Sequence, residues 1–392
     1  MTRKEFQMSL PIQAGLHRSC CLVDTQALTH NMQTLKRGLA PGAQIAAVVK
    51  SNAYGHDVRI AWRAFVEGGA TWLCVDSLHE AADLRDDGYT GNLFVMGHVP
   101  PMHARTAQRL DVRVMVYDKA QIDALGAAAN DASTPIRLIM KLETGTQRQG
   151  LRPDEALQLA RYIARFPYLV LEGTCSHFAN IEDTTDHSFA QAQLKAFQDA
   201  NDLLAQNGFR PALRTIANSA AGILWPHTHF KLVRAGITCY GMWPSTECYV
   251  SAKLLGKDVD LRPALTWKTI IAQVKTVATG SLIGYGCTYQ TTHDTRIAVL
   301  PVGYYDGYDR ALSNLGYVLI RGHRAPIRGR ICMNMCMVDV TDIPDATAGD
   351  DVILLGSQDR ETISAEQLAA WAGTINYELT TQIQTSVPRI AV

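Results

Sequence analysis

Short apolar runs alternate with longer amphipathic stretches between about residues 20 and 255. The runs are typical of buried parallel strands, and the stretches between them, such as residues 77–88 and 154–166, place their apolar residues at helical spacing. Repeated strand–helix units over this length predict an α/β fold, a (β/α)8 TIM barrel, and periodicity alone leaves a doubly wound sheet open as the alternative. The predicted strands are residues 43–50, 71–76, 92–97, 112–117, 136–142 and 169–178.

The pattern changes after about residue 256. The segments there are rich in β-branched residues and are interrupted by Gly and Pro, which predicts a mainly antiparallel β C-terminal domain. One helix is expected over residues 364–373. We therefore predict three parts: an N-terminal arm (1–19), a barrel (20–255) and a C-terminal β domain (256–392).

Composition narrows the class of protein. The chain has 392 residues, 47% hydrophobic and 19% charged, which is ample for one large and one smaller globular domain. Lys plus Arg and Asp plus Glu both number 37, so nothing indicates a nucleic-acid or membrane-surface partner. No signal peptide and no run of about 18 apolar residues is visible, so we expect a cytoplasmic protein.

The nine cysteines are scattered through the chain, and most lie in apolar runs. Their spacing matches no zinc motif, so we expect buried, reduced thiols in a reducing compartment and no metal site.

Lys50 is the first candidate for chemistry, because it ends a buried apolar run in AAVVKSNAYGHD. Reactive groups of a barrel lie at the C-terminal ends of its strands, where the loops form a common mouth. A lysine that emerges there is partly desolvated, which makes its amine usable as a nucleophile. From position alone, a lysine that reaches a surface carboxylate is the more common interpretation.

The residues around Lys50 favour the catalytic interpretation over a surface ion pair. KSNAYGHD resembles the cofactor-lysine motif of the alanine racemase family, which depends on pyridoxal 5'-phosphate (PLP) and has fold type III. Further segments resemble the family in the same order and at similar spacing, from about residue 20 to 390. They are TGTQRQG, SHFAN, ANSAA, RAGITCYG, GYGCTY, VGYYDG, GRICMNMCMVD and NYEL…VPR.

The resemblance implies a PLP site. Lys50 is implied to form the internal aldimine, Tyr54 to contact the phosphate, and His177 to lie against the pyridine ring. Arg234 is implied to face the pyridine nitrogen; an arginine keeps its proton, so it can donate a hydrogen bond but cannot protonate the ring. The remaining cofactor-binding residues implied are Asn218, Ser219, Gly236, Ile237 and Tyr377.

The resemblance also implies the reaction, the interconversion of L- and D-alanine by two bases. Lys50 would serve one face of the substrate and Tyr285 the other. Arg148 would bind the substrate carboxylate or the phenolic oxygen of the cofactor, and a backbone N–H at Met333 would bind the substrate carboxylate. Lys141 matches a position that is N-carboxylated in many relatives.

The family assembles as a head-to-tail homodimer, and the resemblance implies the same composite site here. Tyr304 and Arg330 would line the passage by which substrate reaches the cofactor, and Tyr377 its inner wall. The residues implied to reach the cofactor of the other subunit are Tyr285, Tyr304, Arg330, Met333 and Tyr377.

Three residues depart from the commonest family pattern. Thr215 stands where many relatives have a histidine that supports the pyridine-facing arginine, Asn334 replaces a frequent aspartate, and Glu143 replaces an aspartate. These departures leave the substrate range open, so a broader racemase for serine, lysine or arginine is one alternative.

Other functions on the same fold also stay open: a PLP-dependent decarboxylase, a PLP carrier and a non-catalytic scaffold. Arg234 argues against the decarboxylase, which would have an acidic residue there, and the C-terminal domain argues against the carrier.

Overall fold

The computed structural model describes residues 17–129, 134–183 and 185–392. It divides into two compact units. The barrel unit comprises residues 25–263, and the β unit comprises residues 264–392 together with residues 17–24 of the described chain. Residues 1–16 of the predicted N-terminal arm lie outside the described residues.

Eight parallel strands form the sheet of the barrel unit. Most of their residues are buried, as expected for strands covered on both faces. The strands are β2 (Gln44–Val48), β3 (Trp72–Val75), β4 (Asn92–Val95), β5 (Arg113–Val116), β6 (Ile136–Lys141), β7 (Leu169–Cys175), β8 (Leu213–Thr215) and β9 (Leu232–Ala235).

The sheet runs in the order β8-β7-β6-β5-β4-β3-β2-β9, so its two end strands are β8 and β9. Two backbone hydrogen bonds join the segments that contain these ends: Lys231 N–H donates to the Arg214 carbonyl at 3.2 Å, and Arg234 N–H donates to the Ala217 carbonyl at 3.1 Å. The sheet is therefore nearly closed, which confirms the predicted barrel and excludes the doubly wound alternative.

Helices alternate with these strands and bury one apolar face each; α3, for example, buries Ala61, Ala64 and Phe65. Polar side chains define several helix starts, as where Ser77 and Glu80 form a capping box at α4. The helical segments of this unit are α1 (Thr25–Arg37), α2 (Lys50–Tyr54), α3 (Val58–Glu67), α4 (Leu78–Asp86), α5 (Ala104–Arg109), α6 (Lys119–Ala128), α7 (Pro153–Ile163), α8 (Ser188–Gln206), α9 (Ser219–Leu224) and α10 (Thr246–Leu254). Of these, α2 is a short turn with left-handed backbone.

The β unit is mainly antiparallel, as predicted. Its strands are β1 (Ser19–Val23), β10 (Leu265–Ile270), β11 (Gln273–Val277), β12 (Leu282–Ile283), β13 (Tyr289–Gln290), β14 (Thr295–Leu300), β15 (Tyr317–Ile320), β16 (His323–Pro326), β17 (Cys336–Asp339), β18 (Asp351–Gln358), β19 (Glu361–Ile363) and β20 (Arg389–Ala391). The main sheet has the order β16-β15-β18-β10-β1-β20, with β19 paired to β18, and two smaller sheets are β11-β14-β17 and β12-β13.

Two helices complete this unit. The predicted helix over 364–373 is confirmed as α11 (Ala365–Ala372), which Ser364 caps by accepting a hydrogen bond from Gln367 N–H. The next helix, α12 (Asn376–Gln382), was not predicted and contains Tyr377.

The predicted domain boundaries differ from the observed ones at both ends of the barrel. β1 lies inside the predicted barrel range, yet it pairs antiparallel with β10 and parallel with β20 in the β unit. Local sequence cannot reveal this, because SCCLV is a buried apolar strand that suits either sheet. The second boundary lies at Pro263 and Ala264 rather than at 255 and 256.

All nine cysteines are free thiols, and seven of them are buried, as the sequence predicted. Burial raises the pKa of the Cys74 thiol to about 12, so this side chain is an inert part of the core. Among the described residues, we find no helix with the length and apolarity needed to cross a bilayer.

Candidate active site

Lys50 lies two residues beyond the end of β2, at the C-terminal end of the strand as predicted. Its ammonium lies 3.9 Å from a carboxylate oxygen of Asp76, which follows the neighbouring strand β3. The Lys50 side chain is 40% exposed, so it opens to the mouth of the barrel rather than being sealed in the core.

The backbone after Lys50 forms a left-handed turn. Four consecutive residues other than glycine, Ser51 to Tyr54, have φ values between 52° and 54°. Left-handed helical backbone costs about 1–2 kcal/mol for each such residue, so the surroundings must hold the turn in place. One visible restraint is the N–H of Ser51, which donates to the Glu80 carboxylate at 2.6 Å.

Tyr54, Ser219 and Gly236 meet beside this turn. A Cβ atom added to Gly236 would lie 2.5 Å from the Tyr54 hydroxyl and 3.9 Å from Ser219 Oγ, so only glycine leaves room here. Gly236 N–H donates to Ser219 Oγ at 2.9 Å. Small side chains, hydroxyls and backbone N–H groups are the components of an anion-binding cradle.

Two other predicted cofactor residues have identifiable structural roles. Asn218 caps α9, since its side-chain oxygen accepts from Ala221 N–H at 3.0 Å. Ile237 is fully buried at the start of a 3-10 turn, Ile237–Tyr240, where Tyr240 stacks on Tyr54 with ring centroids 4.9 Å apart.

Arg234 is buried near the end of β9, and its hydrogen-bond partners among the described residues are neutral. Nη1 donates to the hydroxyl of Thr215, and Nη2 donates to the Ser176 carbonyl at 2.7 Å. Nη2 also lies 3.5 Å from Nδ1 of His177. Burial lowers the pKa of the Arg234 guanidinium, although arginine stays protonated at neutral pH.

Burial and four cations lower the pKa of His177. Its low-polarity surroundings, and then Arg234, Lys141, Arg148 and Lys50, lower the pKa of the ring well below its ordinary value. His177 is therefore neutral at pH 7, in a region that attracts anions.

Lys141, at the end of β6, is buried. Desolvation first, and then the charges of Arg234 and Arg148, lower the pKa of Lys141 to about 8, against the opposing effects of Cys175 and Glu143. About a tenth of its amine is therefore neutral at pH 7, far more than for an ordinary lysine.

The loop that carries Arg148 is organised by Glu143. Partial burial acts to raise the pKa of Glu143, but hydrogen bonds from the backbone N–H groups of Gly145, Gln147 and Arg148 outweigh it and hold the pKa below the usual range. The Arg148 side chain itself is exposed at the mouth of the barrel.

Ser176 connects this loop to Arg234. Its hydroxyl donates to the Leu142 carbonyl at 2.9 Å and lies 2.7 Å from the hydroxyl of Thr144, while its carbonyl accepts from Arg234. The ends of β6, β7 and β9 are therefore joined by one hydrogen-bond network.

The remaining predicted residues belong to the β unit. Tyr285 lies between Gly284 and Gly286, both with positive φ, and is 74% exposed. A Cβ atom on Gly286 would lie 3.0 Å from Nη1 of Arg330, so this guanidinium packs against the tyrosine turn.

Tyr304 and Met333 form a second group in this unit. Tyr304 N–H donates to the Cys332 carbonyl at 3.1 Å, and Tyr305 N–H donates to the Met333 carbonyl at 2.9 Å. The Tyr304, Tyr305 and Met333 side chains are all exposed. Asn334, also exposed, is next along this segment.

The sequence did not identify Asp76, Glu80 or Ser176 as part of the site. Their positions directly after strands, or at a helix start, are weak signals that many barrel residues share. Only the pairing of β2 with β3 and of β6 with β7 brings them to the predicted residues.

Comparison with known proteins covers both units. Residues 23–244 match the sequence model of the alanine racemase N-terminal domain, and residues 264–391 match that of the alanine racemase C-terminal domain. An alanine racemase of Desulfovibrio desulfuricans is 39% identical over 94% of this chain and 97% of its own length. One from Symbiobacterium thermophilum is also 39% identical, over 96% and 97% respectively.

Solved structures that resemble this chain are also alanine racemases. Alanine racemase from Streptomyces lavendulae superposes with a TM-score of 0.89 at 37% identity, covering 96% of this chain and 98% of the other. Alanine racemase from Bacillus anthracis with bound L-Ala-P gives a TM-score of 0.89 at 34% identity and 96% coverage of both chains. The fold, the lysine-centred site and these matches define an enzyme of the isomerase class. The chain belongs to the alanine racemase family.

Proposed function

We propose that the chain interconverts L- and D-alanine with bound pyridoxal 5'-phosphate and two bases, Lys50 and Tyr285. The observation that carries this proposal is the position of Lys50 at the start of the turn that ends at Tyr54, in the cradle with Ser219 and Gly236. The cations Arg234, Lys141, Arg148 and Lys50 act on His177 in the same region. Such a region suits a cofactor with a phosphate group and a substrate with a carboxylate.

The residues of the barrel mouth fit this cofactor. The Tyr54 and Ser219 hydroxyls, with the backbone at Gly236 and Ile237, would bind the phosphate. A side chain at position 236 would collide with the Tyr54 hydroxyl, so glycine keeps the backbone next to these hydroxyls accessible. Lys50 would hold the cofactor covalently through its amine. Asn218 contributes indirectly, by fixing the start of α9 next to Ser219.

Arg234 and His177 would contact the ring of the cofactor. Arg234 has five N–H donors and uses two of its nitrogens on Thr215 and Ser176, so donors remain for a ring nitrogen. The bound cofactor withdraws electrons from the α-carbon of an attached amino acid, which makes its α-proton removable. An arginine that keeps its proton limits this withdrawal, which favours racemisation over side reactions.

Two proton carriers perform the inversion. Lys50 Nζ would take the α-proton of D-alanine or return a proton on the same face. The Tyr285 hydroxyl would do the same for L-alanine on the opposite face. We propose that Tyr285 acts on the barrel of a second copy in a homodimer, together with Tyr304, Arg330, Met333 and Tyr377.

Arg148 would bind the substrate carboxylate together with the Met333 N–H, because an arginine suits a carboxylate ligand. Lys141 would support Arg148 after N-carboxylation. Its neutral amine would attack CO2, forming an N–C bond and releasing one proton, and the resulting anion would pair with the Arg148 guanidinium. Labelling with 13C-bicarbonate and a carbamate resonance that disappears in Lys141→Met would test this step.

The main experiment measures cofactor and product together. The purified chain should show visible absorption from bound PLP, which Lys50→Ala removes and the control Lys195→Ala, an exposed lysine on α8, retains. Chiral chromatography should then give a higher kcat/KM for L-alanine than for L-serine, L-lysine or L-arginine.

Each alternative has its own outcome in this assay. Preference for a basic amino acid would identify a broader racemase, and release of CO2 would identify a decarboxylase. Bound PLP with neither product would identify a carrier, and absence of PLP would leave a scaffold.

A further inference from the structure

We propose that Glu80 is a positioning residue for Lys50. Its carboxylate spans the ends of two neighbouring strands: Oε1 accepts from Ser51 N–H at 2.6 Å, and Oε2 accepts from Asp76 N–H at 2.7 Å. Ser51 is the residue after Lys50, and Asp76 is the residue whose side chain pairs with Lys50. One carboxylate thus holds the backbone on both sides of the Lys50 amine.

The left-handed turn explains why this restraint matters. Within the turn, Ala53 N–H donates to the Val49 carbonyl and Gly55 N–H donates to the Ser51 carbonyl. The first N–H of the turn, that of Ser51, instead uses the Glu80 carboxylate, 29 residues away in the chain. Charge-assisted hydrogen bonds of this kind are stronger than neutral ones, so they offset part of the strain of the turn. Tyr54, which ends the turn, lies in the cradle described above.

Glu80 also has a local role, which can be separated from the proposed one. It is the third residue of α4 and forms a capping box, in which Ser77 Oγ accepts from Glu80 N–H at 3.2 Å and Glu80 accepts from Ser77 N–H at 3.2 Å. Removing the Ser77 hydroxyl weakens this cap but leaves the bond from Ser51 to Glu80 intact. Ser77→Ala is therefore a matched control for Glu80→Gln.

Glu80→Gln keeps the size of the side chain but replaces one acceptor oxygen with an NH2 donor, which must then face a backbone N–H. Hydrogen exchange of the full-length chain, read by mass spectrometry without and with PLP, should show faster exchange in residues 50–55 for Glu80→Gln. The same segment should exchange as in the wild type in Ser77→Ala. Unchanged exchange in Glu80→Gln would overturn the inference.

The second measurement is PLP affinity, and this part rests on the proposed function. Wild type and variants are freed of PLP, and the cofactor is titrated back while its absorbance is followed. We expect about tenfold weaker binding in Glu80→Gln, from the loss of one charge-assisted hydrogen bond, and wild-type binding in Ser77→Ala. Equal weakening in both variants would show that only the helix cap matters and would overturn the positioning role.

Failure of the proposed function gives a different result. If the wild type binds no PLP at position 50, or if Lys50→Ala binds it equally well, the cofactor assignment is wrong. Hydrogen exchange still decides whether Glu80 holds the turn, because that readout requires no cofactor.

Discussion

The guanidinium of Arg234 donates to the hydroxyl of Thr215, and that hydroxyl donates in turn to the Leu232 carbonyl at 2.7 Å. Because its only hydroxyl hydrogen points to Leu232, the Thr215 oxygen can act only as an acceptor for Arg234. Unlike a histidine, which titrates near neutral pH, threonine carries no charge at any physiological pH. Its hold on Arg234 is therefore independent of pH across that range.

Thr215→Val should destabilise the protein by about 1–3 kcal/mol, because it leaves a buried N–H of Arg234 without its acceptor. Thr215→Ser keeps the hydroxyl and should lose much less. Urea denaturation of both variants measures the difference. Equal stability of the Val and Ser variants would show that the hydroxyl does not support the arginine.

Lys141 predicts a pH-dependent stability. Its pKa falls from 10.5 to about 8 on folding, so the folded state disfavours the charged amine. Below pH 8 the cost of burying the charge is present in full. Between about pH 8 and 10.5 the unfolded chain holds more protons, so the free energy of unfolding rises with pH, by about 3 kcal/mol in total.

The control for this prediction is Lys141→Met, which has no titrating group at the position. In CO2-free buffer, the stability of the wild type relative to Lys141→Met should improve as pH rises from 7 to 10. Urea denaturation at four pH values measures this. A difference that stays constant with pH would contradict it.

Gly236→Ala should weaken PLP binding, because the added Cβ would lie 2.5 Å from the Tyr54 hydroxyl and displace it. Overpacking of this kind costs about 1–3 kcal/mol, equivalent to roughly ten- to a hundredfold in affinity. Gly38→Ala is the control, since its Cβ meets only ordinary contact at 3.5 Å. Cofactor titration compares the two, and similar affinities would mean that the cradle is not the phosphate site.

Glu143→Ala should raise the KM for alanine more than it lowers kcat, because the loop of Arg148 loses the acceptor for three backbone N–H groups. Glu155→Ala is the control, since this glutamate accepts from Arg152 N–H at the start of the following helix. Steady-state kinetics at several alanine concentrations measure the split. A fall in kcat alone would place the effect on the chemical step instead of on carboxylate binding.

Tyr285→Phe should lower kcat/KM about 100-fold or more, as expected for loss of a proton carrier. The two enantiomers have equal free energy in water, so kcat/KM falls equally in both directions. Exchange in D2O resolves the roles: the variant should still introduce deuterium at the α-carbon of D-alanine, through Lys50, but not of L-alanine. Tyr305→Phe, at another exposed tyrosine, should behave as wild type. Undiminished exchange of L-alanine would remove Tyr285 from the mechanism.

The barrel and Lys50 were predictable because their determinants are local. Six of the eight barrel strands, β2 to β7, lie in predominantly apolar runs that were predicted, and Lys50 ends the first of these runs, so its place at the mouth follows from the fold. The same holds for α11, whose start has a serine cap and whose end has Gly373 in the left-handed region. The short strands β8 (LRT) and β9 (LVRA) each contain an arginine and were not predicted.

Other features depend on contacts between distant residues. The left-handed turn after Lys50 could not be predicted, because Ser, Ala and Tyr have no preference for positive φ. The Glu80 contact joins two strand ends that only the sheet brings together. The placement of β1 in the β unit depends on partners near residue 267 and residue 390.

That placement has a consequence for how the chain folds as it is synthesised. β1 lies between β10 and β20, so one of its edges stays unpaired until β10 has been made and the other until β20 has been made. β20 spans Arg389–Ala391 and follows every strand of the barrel in the chain. On the ribosome, all eight strands of the barrel emerge after β1 and before β10 and β20, so β1 finds its partners only once the barrel strands have been made.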